Sequence, residues 1–195
     1  MKKIMFNDRY GLTQSVLERR KTHTRRIINE RLFQECRSNG FIEAGGYNSQ
    51  WKEKSIDLLL AHSTYKIGEE VAVAQSYNTI IQEIFDKGGE LKDSCSIIMS
   101  KGLNNKMFVH SHRMPHRIRI TNVRVERLHD ISPEDCLKEG IVCKNERYVI
   151  ETYKGVEFYT KDVKLAFKYL IDKICGKGTW DSNPWVFVYD FELIK

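Results

Sequence analysis

The sequence predicts an α+β protein, a single domain with a mixed sheet and flanking helices. Three observations predict it. Period-two apolar runs cross the middle and close the chain, amphipathic helical runs stand beside them, and no Pro/Gly/Ser-rich linker divides the 195 residues.

The first element is a short apolar strand over Lys3 to Phe6. Asp8 is placed to cap a helix whose Leu12, Val16 and Leu17 share a face, and that helix ends near Arg20. Lys21 to Arg26 reads as a polar strand or turn, because its threonines alternate with charged residues and favour extended backbone. Residues 29–61 are polar and glycine-bearing and read as an insertion, with one short helix over Ser55 to Ala61. A turn at Tyr65 to Glu70 delivers a strand with Val71 and Val73 on one face and the small Ala72 and Ala74 on the other. A helix over Thr79 to Asp86 stops at Lys87-Gly88-Gly89, and Ser94 to Ser100 reads as a strand.

The run from His116 to Leu128 changes phase: Ile118 and Ile120 are even, Val123 and Val125 odd. A bulge at Thr121-Asn122 returns both pairs to one face, and such bulges bend strands around small barrels. Ser132 then caps a helix with Pro133 at its first position, acids at Glu134 and Asp135, Ile131 set to staple onto Cys136, and Gly140 as its stop. Tyr148 to Tyr159 predicts a hairpin around Lys154-Gly155, and Asp162 to Cys175 an amphipathic helix. The closing strand, Trp185 to Leu193, is apolar on both faces and belongs in the middle of a sheet.

Composition narrows the classes. No apolar run approaches the roughly 18 residues of a membrane span, and Met1-Lys2-Lys3 leads into too short an apolar stretch for a secretory signal. The five cysteines are widely spaced and form no Cys-x-x-Cys pair, which fits reduced thiols in a cytoplasmic protein without a zinc site. The net charge of +6 says little, but its placement says more. Arg19, Arg20, Lys21, Arg25 and Arg26 cluster in one segment, and Arg113, Arg117, Arg119, Arg124 and Arg127 in another, as phosphate binding would require. A solvated face that binds nothing accounts for the same clusters.

Four stretches together resemble the ASCH family, in the family's order, and especially its longer phage and prophage members. Val16 to Arg26 is similar to the family helix followed by Gly-Arg-Lys-Thr-x-Thr-Arg-Arg, with Arg19 standing where glycine is usual. Tyr65 to Tyr77 is similar to the segment carrying Pro-Gly-Asp and then Arg-Glu-Thr-Trp, here replaced by Ala74, Gln75, Ser76 and Tyr77. Thr121 to Ile141 and Trp180 to Phe191 are the third and fourth, the third being the most specific. The resemblance implies a PUA-like mixed β-barrel with flanking helices, a cleft able to take a base or nucleoside, and no cofactor.

It also implies chemistry, because small bacterial ASCH proteins include an amidohydrolase that removes acetyl from the exocyclic amine of acetylcytidine. Its lysine, threonine and glutamate correspond to Lys21, Thr24 and Glu139. Amide hydrolysis needs a nucleophile, a base and an acid for the leaving amine. Thr24 suits the first, and Lys21 the second if Arg20, Arg25 and Arg26 lower its proton affinity by repulsion. Glu139 would face the negative end of a short helix, as a proton donor wants. Without catalysis, Lys21 and the arginines would bind phosphate, Thr24 would satisfy strand backbone, and Glu139 would pair with an arginine.

Of the remaining residues, Trp180 is the aromatic best placed to stack a base, and Cys136 and Cys143 read as packing residues. His110, His112 and His116 form a cluster without a sequence-specified third metal ligand and read as surface or phosphate-contacting groups. The leading expectation is a binding rim of Arg20, Lys21, Arg25, Arg26 and Arg117 for RNA or a nucleotide or nucleoside. Amidohydrolysis by Lys21, Thr24 and Glu139 is the alternative, and a phage protein-interaction module without a nucleic-acid role is another.

Overall fold

The computed structural model describes residues 1–38, 56–90 and 100–194. The strand expected over Ser94 to Ser100 lies, up to residue 99, outside the described residues.

The chain is α+β. Its larger sheet contains β1 (Lys3–Ile4), β2 (His23–Ile27), β3 (Glu70–Val73), β4 (Arg117–Arg127) and β8 (Trp185–Leu193), ordered β1-β3-β4-β8-β2. β1 runs parallel to β3 and every other pairing is antiparallel. A separate meander joins β5 (Val142–Lys144), β6 (Arg147–Thr152) and β7 (Gly155–Thr160). The described residues thus form two open sheets, with β1 and β2 at the edges of the larger, rather than the closed barrel expected.

The bulge falls where the phase change placed it. Ile120 pairs with Phe191 and Asn122 with Asp190, so Thr121 is the extra residue. Ile118 and Ile120 are wholly buried, and Val123 and Val125 pack at the edge of the same core. β8 is central, as its two apolar faces require, with Val186, Phe187, Val188 and Tyr189 all buried. On β3, Val71 and Val73 enter the main core, while Ala72 and Ala74 face a smaller cluster with Tyr77, Ile80, Val109 and Met114.

The helices are α1 (Leu12–Leu17), α2 (Glu30–Ser38), α3 (residues 56–61), α4 (Tyr77–Asp86), α5 (Pro133–Lys138), α6 (Val163–Cys175) and α7 (Thr179–Ser182). α2 lies in the segment expected to carry only the helix near 55–61. Asp8 does not cap α1, because a turn closed by Gly11 N–H to the Asp8 carbonyl intervenes; the Asp8 carboxylate instead accepts from the Thr13 hydroxyl. α5 has the expected start: Ser132 Oγ accepts from Asp135 N–H at 3.1 Å, with Ile131 and Cys136 fully buried beside it. α6 is capped by Asp162 and buries Val163, Ala166, Phe167, Leu170 and Ile171. No helix among the described residues is long and apolar enough to cross a membrane.

Because α5 carries a candidate site residue at its end, its cap bears on the site. Ser132→Ala is expected to lower stability by about 1 kcal/mol, read as a lower urea midpoint at unchanged slope.

Candidate functional site

The site forms where β2 leaves α1 and passes the C-terminal end of α5. After α1 the chain turns through Arg19, whose φ of 61° lies in the left-handed region. That conformation is one that glycine adopts without strain. Arg19 is held in it by a hydrogen bond from its guanidinium to the Leu193 carbonyl at 2.8 Å. The Lys21 and Thr22 amides then donate to the Ser15 and Lys138 carbonyls, both at 2.9 Å, fixing the strand start between α1 and α5. Gly140 allows the approach. With φ at 102°, it lies where a Cβ would meet Leu12 at 3.2 Å and the Lys21 side chain at 3.5 Å.

Lys21 is therefore buried, only 2% exposed. Its Nζ donates to Glu139 Oε2 at 2.6 Å and to the Glu139 carbonyl at 2.7 Å. The other Glu139 oxygen, Oε1, accepts from Arg25 Nη1 at 3.0 Å. Lys21, Thr24 and Glu139 all border one pocket of about 130 Å³, walled mainly by Phe6, Leu12, Phe167, Leu170 and Ile171. Thr24 is buried, and its hydroxyl makes no hydrogen bond to another described residue. The lysine, threonine and glutamate thus share one pocket, two of them in direct contact.

Burial lowers the proton affinity of Lys21 below that of an ordinary lysine, against the pull of Glu139, and the charges of Arg26 and Arg25 push the same way as burial. Desolvation rather than the expected charge repulsion leads, and Arg20 plays no part. Arg20 points outward and pairs with Glu18.

The arginines do not form the expected open rim. Arg25 has a side chain 1% exposed and faces three carboxylates: Glu139, Glu126 at 2.6 Å and Asp135 at 2.9 Å. It sits on the same sheet face as His23 and Arg124, since Arg25 and Arg124 both register with Val188. Arg124 binds Asp135, Glu126 and Asp190, and His23 Nε2 lies 3.2 Å from Asp190. Arg26, on the opposite face, donates to the Met5 carbonyl and lies over the Phe6 ring. Arg117, at the start of β4, lies beside Ile194 just past the end of β8 and does not line the pocket.

Trp180 does not line the pocket. It is half-buried in α7, tilted against His129 at 4.5 Å and edge-on to Phe167 at 6.0 Å, behind the pocket wall. His110 and His112 stack on each other, His116 pairs with Glu83, and no group of side chains able to hold a metal occurs among the described residues. Cys136 is a packing residue, its thiol pushed up to about 12 by burial, whereas Cys143 is exposed.

Sequence reasoning missed Glu126, Asp135 and the α6 wall as parts of the site. Asp135 read as a helix-start acid, which it is, but its carboxylate also holds two arginines. The alternation of Arg124 and Glu126 beyond the bulge was the available signal.

Fold and site together define a pocket built around a buried lysine–carboxylate–arginine cluster at the edge of an open sheet. No family model, curated protein or solved structure matches the chain.

The two arginines hold the Asp135 carboxyl below its usual value of 3.8, although burial opposes them. Its folded value being the lower, Asp135 contributes stability above pH 3.8 that is lost as pH falls through the folded value. In urea unfolding at a series of pH values, Asp135→Asn should be less stable than wild type at pH 7 and lose less on acidification. Parallel curves for the two proteins would contradict this.

Proposed function

We propose that the chain is an ASCH-type amidohydrolase for a small, flat amide, with an acetylated cytidine-like nucleoside as its substrate class. The observation that carries the proposal is the 2.6 Å contact of Lys21 with Glu139 in a pocket that Thr24 also borders. The substrate class and the PUA-like reading of the larger sheet rest on the ASCH resemblance.

The ion pair and its neutral form differ by one proton crossing a short hydrogen bond. Burial favours the uncharged amine, which is the form able to take the Thr24 proton. Thr24 Oγ1 then attacks the acetyl carbonyl carbon, and the C–N bond breaks as the carboxylic acid of Glu139 gives its proton to the leaving amine. This leaves acetyl-Thr24 and the free amine. The Glu139 carboxylate then takes a proton from a water whose oxygen attacks the ester carbonyl, and the bond to Thr24 Oγ1 breaks as the Lys21 ammonium returns its proton to that oxygen, so that acetic acid leaves and both threonine and the neutral pair are restored. The apolar walls suit a planar ring and exclude competing water.

RNA binding draws less support. Arg25 is sealed among carboxylates, Arg124 is bound to three acids, and Arg20 and Arg26 have partners within the chain, so few of these guanidinium groups are free for phosphate. A free nucleoside needs none of them.

The test is turnover of acetylcytidine followed by its ultraviolet spectrum. Wild type should hydrolyse it, and Lys21→Ala, Thr24→Ala and Glu139→Gln should each lose about 10²-fold or more in kcat. Absence of turnover in wild type, or turnover unchanged in Lys21→Ala, would overturn the proposal.

A further inference from the structure

Glu139 has one oxygen on the amine and the other on Arg25, an arrangement that the hydrolase reading does not by itself require. Around Lys21, β2 supplies Arg25 and Arg26, the end of α5 supplies Glu139, the chain after β1 supplies the Phe6 ring at 5.8 Å, and α6 borders the same pocket with Cys175. Glu139 is the one anion in contact with the amine among the described residues. Around Arg25 stand Glu139 and Asp135 from α5 and Glu126 from β4, with the Cys136 thiol close by. Arg124 and His23 hold Asp135 from the other side, and Lys138 lies 3.6 Å from it.

Three carboxylates converge on one guanidinium. Its fixed planar fork satisfies Glu126 through Nε and Nη2, Asp135 through Nη2 and Glu139 through Nη1. Held that way, Glu139 cannot turn both oxygens to Lys21.

We propose that Arg25 is a positioning residue for Lys21: by occupying one oxygen of Glu139 and placing a second cation beside the pair, it keeps the amine from being locked in its charged form. The catalytic meaning rests on the hydrolase reading, but the geometry of the three groups does not.

Two measurements separate the two claims. In the full chain, the Lys21 side-chain nitrogen is titrated by heteronuclear NMR, its signal assigned by its loss in Lys21→Met. Arg25→Gln removes the competing cation, so the Lys21 titration should move up by about one pH unit, a tenfold change in its proton equilibrium. The rising limb of kcat against pH for acetylcytidine should move up with it, at a KM changed by no more than about twofold. Arg25→Lys keeps a charge but not the fork, and should give a smaller shift in the same direction.

If Arg25→Gln does not fold, Arg124→Gln serves. It leaves Arg25 as the one arginine on Asp135 and Glu126, beside His23 and Lys138 on Asp135, draws the guanidinium from Glu139, and should also raise the Lys21 titration. A Lys21 titration that stays put or falls in a folded variant overturns the positioning role, whatever the turnover. A titration that rises in a protein that does not hydrolyse acetylcytidine sustains that role and removes the hydrolase reading.

Discussion

The Glu139 carboxylate is the joint on which the site depends. One oxygen meets a buried amine and the other a buried guanidinium, so a single side chain at the end of α5 balances two cations that arrive from the start of β2. Buried charges are tolerated only when paired and hydrogen-bonded, and here each of the three is. Removing any one leaves the others uncompensated, which couples the site to folding.

Local features bring these groups together. Ser132 and Pro133 fix where α5 begins, six helical residues later Glu139 closes it, and Gly140 turns the chain away without a Cβ against Lys21. From the other side, the turn at Arg19 and the amide bonds of Lys21 and Thr22 lock the approach of β2. β8 supplies the floor: His23 and Arg25 register against Asp190 and Val188 on one strand edge, and Asn122 and Arg124 register against the same two residues on the other. The sheet face between β2 and β4 is thereby a charged layer covered by α5, while the opposite face carries the aromatic core of Phe187 and Tyr189. At the sheet edge the pocket is lined by residues of both faces, with the buried charges of Lys21, Arg25 and Glu139 and the apolar wall of α6.

Much of this was legible because it is local. The Thr121 bulge is written in the phase of four residues, the α5 cap in Ser132-Pro133, and the central place of β8 in its two apolar faces. The triad of Lys21, Thr24 and Glu139 came from the ASCH resemblance, and the structure brings those residues to one pocket. The burial of Arg25 was not legible, because a charged residue on a short polar strand looks solvated until its carboxylates arrive from 101, 110 and 114 positions away. Arg25 joins no open rim for the same reason: a cluster of positive charge in sequence says nothing about negative charge brought to it in space. The packing of Trp180 on His129 and Phe167 was likewise not legible, because its neighbours in sequence are polar.

As proposed, the pocket beside Lys21, Thr24 and Glu139 takes a small amide. The most direct measurement is a crystal structure of the chain with a stable ketone analogue of acetylcytidine, in which a methylene replaces the scissile nitrogen. The ring is expected between Phe6 and the α6 residues Phe167, Leu170 and Ile171, with the carbonyl carbon facing Thr24 Oγ1. An analogue bound on the β4 arginines instead, or a pocket left empty at saturating analogue, would contradict it.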